Sequence, residues 1–333
     1  MNDIPSVLGL TSEQVEAALR AAAAAPSLHN AQPWRFRLQP ASIDLFRDPE
    51  RRLPAADPDD QELRLGCGAA LLNLKLALKN MGVHPLVTLL PDTRQPDLLA
   101  TVRAAGPARP DPQVAELVAA IPRRRTNRHP FTDEPVPVMH RQALVRAAQA
   151  EQCWLHVVRD RTERAALREL VVQAHEVQSA DPAFRAEMAA WVGMGAEAKQ
   201  GVPVSAGGPK PEPQDVWVLR DFTGGRARPR VPGKDFEDDP LVVVLCSHHS
   251  GPLAELQSGQ GMQRVLLTAT SLGLSASFLS QVVEVPATRR RLRALLGGHL
   301  HPQMVLRIGY GISVPPVPRR PVSELIVHDT PVL

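Results

Sequence analysis

Apolar positions along this chain recur at helical spacing in some stretches and at period 2 in others, and the two patterns interleave from one end to the other. Val15, Ala18, Leu19 and Ala22 mark one face of a helix that starts at Thr11, where Thr11 and Gln14 have capping-box spacing. Residues 34–38 and 42–47 alternate around Gln39-Pro40-Ala41 and predict two short strands. Leu63, Cys67, Ala70, Leu71, Leu74 and Leu78 line a long helix that ends at Gly82, with Asp59 and Glu62 repeating the capping signature ahead of it. Strands are predicted over 86–90 and 98–104. Asp111-Pro112 sets an N-cap before a proline and opens a short helix through Val114, Leu117, Val118 and Ile121. A helix over 137–150, a strand over 154–159 and helices starting at Asp160 and Asp181 follow. Residues 241–246 are continuously apolar, as in a central buried strand. A helix over 253–272, a strand over 275–282, a helix over 286–296 and a strand over 304–309 complete an α+β series with mixed sheets.

Two stretches break the pattern. In residues 25–36 an alanine-rich helix meets Pro26, which removes a helical N–H and biases Ala25 away from helical angles. Pro33 stands seven positions later, and between the two prolines lie Ser27, His29, Asn30 and Gln32, all able to hydrogen bond. Trp34 and Phe36 then enter a core at period 2, pinning the loop at its far end. A row of neutral donors and acceptors held in this way suits a flat polar aromatic ligand; the plain alternative is a capped turn bonded to its own backbone. The second break, residues 193–213, holds five glycines and four prolines and no periodicity, the composition of a lid, a binding loop or a tether.

At 333 residues and 44% hydrophobic content the chain can bury a large core and is not generally disordered. Lys75 and Lys79 interrupt the longest apolar stretch, so it reads as a soluble helix, and the opening Met-Asn-Asp-Ile-Pro lacks the marks of a signal peptide; a cytoplasmic protein without a membrane partner is the expectation. Cys67, Cys153 and Cys246 lie far apart in or beside apolar runs and read as buried free thiols. A formal charge of +3 argues against nucleic acid as the main partner.

Two pairs of segments look alike. Residues 18–22 lead through the polar loop to 34–38, and residues 144–148 lead more directly to 154–158; the Arg-to-Trp spacing is 14 in the first and 8 in the second. Gly68 and Gly82 bracket one helix and Gly259 and Gly273 another of equal length. Chance similarity of amphipathic helices is the competing explanation. A duplication would divide the chain into halves 1–110 and 111–333, the first with a polar loop and the second with the basic loop 123–128, so that one composite site lies between them.

In that basic loop Arg124, Thr126 and Arg128 alternate, and on extended backbone two guanidinium forks and a hydroxyl can share a face and grip one phosphate; a solvated basic turn is the commoner explanation of charge alone. His248-His249 and His299-x-His301 lack acidic or cysteine partners at metal-ligand spacing, so no metal is expected. Gly66-Cys-Gly68 and Gly259-Gln-Gly261 lack the third glycine of a dinucleotide fingerprint, and the arginines at 289, 290, 291 and 293 lack interleaved aromatics.

Arg124-x-Thr-x-Arg128 followed by Pro-Phe-Thr-Asp-Glu-Pro-Val136 resembles the flavin-phosphate signature of the nitroreductase superfamily. Pro26-Ser-Leu-His-Asn-Ala-Gln-Pro-Trp34 resembles the loop by which that superfamily meets the isoalloxazine ring across a dimer interface. Both on one chain in swapped order, with Phe278-Leu-Ser-Gln281, Arg307-Ile-Gly309 and Pro318-Arg-Arg-Pro321, resemble the Acg-like branch. The resemblance implies a nitroreductase-like fold of two pseudo-symmetric halves that mimics a homodimer, as a monomer or loose homo-oligomer, with one FMN. Arg124, Thr126, Arg128 and Arg319 or Arg320 would hold the phosphate. Ser27, His29, Asn30, Gln32, Pro33 and Trp34 would line the ribityl chain and ring, and the 278–281 segment with Ser280 would present backbone N–H groups to the pyrimidine edge. Hydride chemistry would belong to flavin N5, with no catalytic residue required, in NAD(P)H-dependent reduction of nitroaromatic or quinone-like acceptors. A lid over 193–240 would mark the branch, and a closed lid would instead leave a flavin-sequestering protein with little turnover.

Overall fold

The computed structural model describes residues 4–195, 197–227, 230, 235–237 and 239–327; the lid expected over 193–240 falls partly outside them. Helix α1 (Ser12–Ala23) carries the expected capping box, Thr11 and Gln14 each bonding the other's backbone N–H. It delivers the chain through the polar loop to β1 (Trp34–Gln39) and β2 (Ser42–Arg47), then α2 (Gln61–Asn80), β3 (Val83–Leu89) and β4 (Leu98–Pro107). These strands form one antiparallel sheet in the order β1-β2-β4-β3. After α3 (Pro112–Ala120), α4 (Val138–Gln149), β5 (Trp154–Val157), α5 (Arg161–Ala180) and α6 (Pro182–Trp191) come two short strands, β6 (Val192–Met194) and β7 (Val202–Pro203). Then follow β8 (Leu241–Ser247), α7 (Pro252–Ser271), β9 (Ser275–Phe278), α8 (Gln281–Glu284), α9 (Pro286–Leu295) and β10 (His301–Gly309). A second antiparallel sheet runs β5-β8-β10-β9.

One core joins both sheets. Ile43 and Leu45 of β2, Leu71 and Leu74 of α2, Val265 and Leu266 of α7 and Leu306 of β10 all belong to it. The apolar run at β8 is explained by burial on two sides: Val243 and Leu245 face this core, and Val242, Val244 and Cys246 face a second one with α5, α8 and α9. Helices α2 and α7 cross where Gly68 meets Gly259; a side chain on either would strike the backbone carbonyl of Leu256 or Leu65. The paired glycines at the helix ends also do paired work, since Gly82 and Gly273 both take the left-handed angles that stop a helix. Asn73 and Gln263, both fully buried, hydrogen bond across the crossing at 2.8 Å and fix its register. The C-terminal tail returns to the first sheet, where Phe36 donates its N–H to Leu325 and accepts from Val327.

Three expectations are corrected. The N-cap residue of α2 is Asp60, which makes no side-chain cap, and it is the Asp57 carboxylate that accepts from the N–H groups of Glu62 and Leu63; Asp59 turns outward to Arg289. The strand expected over 275–282 stops at Phe278, because the chain closes a helical turn at 281–284 that buries Val282 and Val283 in the second core. The stretch 193–213 is not wholly irregular, since β6 and β7 pair within it. All three cysteines are free and buried. Among the described residues no helix is long and apolar enough to cross a membrane.

Candidate functional site

The polar loop is held in a conformation that ordinary residues resist. His29, Asn30 and Gln32 all have positive φ, at 48°, 57° and 55°. Left-handed residues cost of order 1–3 kcal/mol each and persist only when their surroundings over-determine them. Those surroundings are visible: Ser27 Oγ accepts from the Gln32 N–H, Asn30 Nδ2 donates to the carbonyls of Gly201 and Pro318, and Gln32 Nε2 donates to Lys199. Arg319 clamps the other side, donating to the carbonyls of Ala23, Ala24 and Ala25 at the end of α1 and to Asn30 Oδ1.

The basic loop lies against this one. Asn127 anchors it to β9 through its own N–H to Ala276 and its side chain to Ser275 and Ile312, so Thr126 is drawn into a parallel bridge with Ala276. Buried Arg307 stacks 4.0 Å from Phe131 and donates to the His129 carbonyl, which holds the loop's far end. Arg124, Arg125, Thr126, Arg128 and Arg319 line an outer cavity with Ser27 and Asn30. No carboxylate lies among its lining residues. Burial, then Arg319 and Arg125, lowers the Arg124 pKa to about 9, and burial with Arg220 lowers that of Arg128 to about 10. Arg319 falls to about 10 through burial and Arg125. Nε and one terminal nitrogen of Arg124 are buried without a hydrogen-bond partner among the described residues. This is a cluster of desolvated cations, an arrangement whose chemistry suits an anionic group.

An inner cavity adjoins it and shares Pro26, Ser27, Thr126 and Arg128. Its other walls include His29, Glu62, Gly66, Met262, Phe278, Ser280 and Met304, with Arg220 and Phe222 closing in from the 192–227 segment. Phe222 lies 4.2 Å under the Arg128 guanidinium and 6.1 Å from the His29 ring, and Arg128 donates to the Ala206 carbonyl. Arg220 forms a buried ion pair with Glu284 and bonds Gln178 and Ser280. Burial would raise the Glu284 pKa, but Arg220 and the hydrogen bonds to it hold it below the ordinary value. Glu62 takes the opposite course: burial, Glu284 and Asp57 push its pKa well above the usual carboxylate range. The dipole of α2 favours a first-turn carboxylate by only about 0.3–1 kcal/mol, less than the several kcal/mol that an unpaired buried ion costs.

His29 is held neutral, its pKa lowered to about 4 by burial and by Arg220 and Arg128. A base whose folded pKa lies below its unfolded value costs stability as pH falls through that window, here from 6.5 toward 4. Between pH 7 and 5 the wild-type chain is therefore expected to lose about 2 kcal/mol more than His29→Gln. Asp57, whose pKa burial raises to about 6, has the opposite sign over 3.8 to 6 and is common to both proteins, so it cancels in the difference. Urea titrations at the two pH values check this, and parallel losses would contradict it.

Of the residues singled out from the sequence, Ser27, His29, Asn30, Arg124, Thr126, Arg128, Ser280 and Arg319 line these two cavities. Gln32, Pro33, Trp34 and Arg320 do not. Trp34 is fully buried in the main core, where its strand position opposite Arg47 sends it inward. The Pro33 carbonyl accepts from Asp48, and Gln32 spends its amide on Lys199 and on the Arg320 N–H. Arg320 turns to Asp48 and Glu324 instead of the arginine cluster. Sequence reasoning missed Arg125, Glu62, Arg220, Phe222 and Glu284. Glu62 and Arg125 sat inside noticed motifs and Arg220 and Phe222 inside the expected lid stretch, but none was singled out, and Glu284 has no local signal, because its partners lie tens of residues away.

The model of the Nitroreductase family matches residues 121–310, more than half of the chain. The chain is 34% identical over 323 residues to Rv3131 of Mycobacterium tuberculosis strain H37Rv, covering 95% of this chain and 91% of that one, and 32% identical over 324 residues to Acg of the same strain, covering 95% and 96%. Both relatives bear NAD(P)H nitroreductase names. Among solved structures, a nitroreductase with bound FMN from Bacteroides fragilis aligns over 62% of this chain and 93% of its own, at 14% identity and a TM-score of 0.37. The chain belongs to the nitroreductase family. It is similar to the Acg and Rv3131 proteins along nearly its whole length.

Proposed function

We propose that this chain is an FMN-binding oxidoreductase that reduces nitroaromatic or quinone-like acceptors with electrons from NAD(P)H. The observation that carries this reading is the pairing of an arginine cavity without a lining carboxylate with an adjoining chamber where Phe222, Phe278, Met262, Met304, His29 and Ser280 stand beside the ionisable Glu62, Arg128 and Arg220. An anionic tail neutralises the first and a flat ring system fits the second. Arg124, Arg128 and Arg319, with the Thr126 hydroxyl, would hold the phosphate; Arg125 adds charge at the rim. Ser27 and Asn30 would meet the ribityl chain, and His29 and Ser280 the ring. FMN, when bound, supplies hydride transfer at N5, which leaves the chain to bind, orient and exclude water. Gln32, Pro33, Trp34 and Arg320 act behind this surface by holding the loop that carries Ser27, His29 and Asn30 in its left-handed form. On this reading residues 1–110 and 111–333 are two halves that share one site, and a single chain does the work of a dimer.

A second reading, favoured by the buried Arg220–Glu284 pair and by Phe222 packed on Arg128, is a flavin-holding protein whose 192–227 segment acts as a lid and limits turnover. One experiment addresses both. The purified chain, reconstituted with FMN, is expected to show flavin absorption that bleaches anaerobically with NADPH or NADH and returns with a nitroaromatic. A chain that takes up no FMN contradicts the site; one that takes it up but does not bleach supports the second reading.

A further inference from the structure

Among the described residues, Glu62 is the one carboxyl group that lines the inner cavity. It is 94% buried, being 6% exposed, and its Oε1 has no hydrogen-bond partner among the described residues. Its position on α2 aims it at the site: Gly66, one turn further along the same face, packs against Pro26 and Ser27, where a Cβ would come within 3.3 Å of the Ser27 Cβ. Its backbone N–H is already served by Asp57, so capping does not account for the side chain. The groups that act on it from neighbouring elements are Glu284 of α8, Asp57 ahead of α2, Arg220 of the 192–227 segment and Arg289 of α9. Arg220 is committed to Glu284, and Arg289 to Asp59 and Gln61. Two buried carboxyl groups, of which Glu284 alone is paired with Arg220, are pushed apart in pKa, the arrangement that separates proton donor from charged partner in many active sites.

We propose that Glu62 is the proton donor of the inner chamber, its buried, unpartnered carboxyl group handing a proton to the oxygen of a quinone- or nitro-class acceptor as that acceptor is reduced. This rests on the FMN reading above. For a quinone, bound FMN in its reduced form would supply two electrons and one proton as hydride, and the Glu62 O–H would supply the second proton. One O–H bond breaks on Glu62 and one forms on the acceptor, and the carboxylate left behind takes up a proton from solvent before the next turnover. Burial, with Glu284 and Asp57 nearby, pushes its pKa well above the usual carboxylate range, which favours the protonated form. The side chain is thus a catalytic residue in a family site whose hydride chemistry needs none.

Two readouts test it. Infrared difference spectra of wild type against Glu62→Gln at pH 7, with no cofactor present, are expected to show the C=O stretch of a protonated carboxylic acid in wild type only. In stopped flow, chain saturated with FMN, reduced by light and mixed with 1,4-benzoquinone is expected to reoxidise about 100-fold more slowly in Glu62→Gln than in wild type. A missing carboxylic band, or equal reoxidation rates in FMN-loaded protein, overturns the role of Glu62 alone. A chain that takes up no FMN overturns the proposed function and this role together.

Discussion

Arg124→Ala and Arg128→Ala each lower FMN affinity by about 1.5–3 kcal/mol, and the double variant lowers it by about 3–6 kcal/mol, because each loses charge-assisted hydrogen bonds to the phosphate. The expected effect on the empty protein has a different sign at the two positions. The Arg124 guanidinium is buried beside Arg319 and Arg125, and two of its nitrogens lack partners, so its removal relieves repulsion and leaves stability unchanged or higher. Arg128 donates to Ala206 and stacks on Phe222, and its removal costs stability. Titration with FMN and urea unfolding of the apoprotein, run on the same preparations, measure both signs. Loss of apo stability in Arg124→Ala together with unchanged FMN affinity would make the arginine structural and remove the basis of the phosphate site.

Arg220→Ala costs about 3–5 kcal/mol of stability, the usual effect of stranding one member of a buried ion pair. Glu284 would be left fully buried with only Gln178 and Ser280 to bond it. Glu284→Ala strands Arg220 in the same way. Replacing both with methionine removes the charges together and is expected to be near neutral, since the Coulombic gain of a buried pair roughly offsets its desolvation. The pair joins the 192–227 segment to α8, so the double variant also reports on access. If the segment limits turnover, FMN-loaded Arg220→Met with Glu284→Met bleaches faster with NADPH than wild type. Additive losses in the two single variants would contradict the pairing, and an unchanged bleaching rate would show that this contact does not gate the site.

How much of this was legible in the sequence depended on the range of the interactions. Local signals were read correctly where bonding is local: the Thr11–Gln14 cap, the Pro26 stop and the apolar run of β8 need only their near neighbours. The Asp59–Glu62 cap was misread because a second carboxylate, Asp57, lay two residues earlier and geometry chose it. The strand expected over 275–282 ran too far, because packing of Val282 and Val283 against the second core closes a helical turn there. In the site, alternation in the basic loop did place Arg124, Thr126 and Arg128 on one cavity. What alternation does not reveal is where the tail returns, so Arg319 and its neighbour Arg320 could not be told apart until the tail was seen docked on the polar loop. Glu284, Arg220 and Phe222 were invisible for the same reason. Each matters only through a partner brought in by the fold.

The most direct measurement of the central claim, that the arginine cavity receives a phosphate whose ring enters the neighbouring chamber, is a side-by-side titration of the wild-type chain with FMN and with riboflavin, which lacks the phosphate. The account predicts that FMN binds at least about 100-fold more tightly than riboflavin, and that this preference disappears in the Arg124→Ala, Arg128→Ala double variant. Equal affinity for the two flavins in the wild-type chain would contradict it.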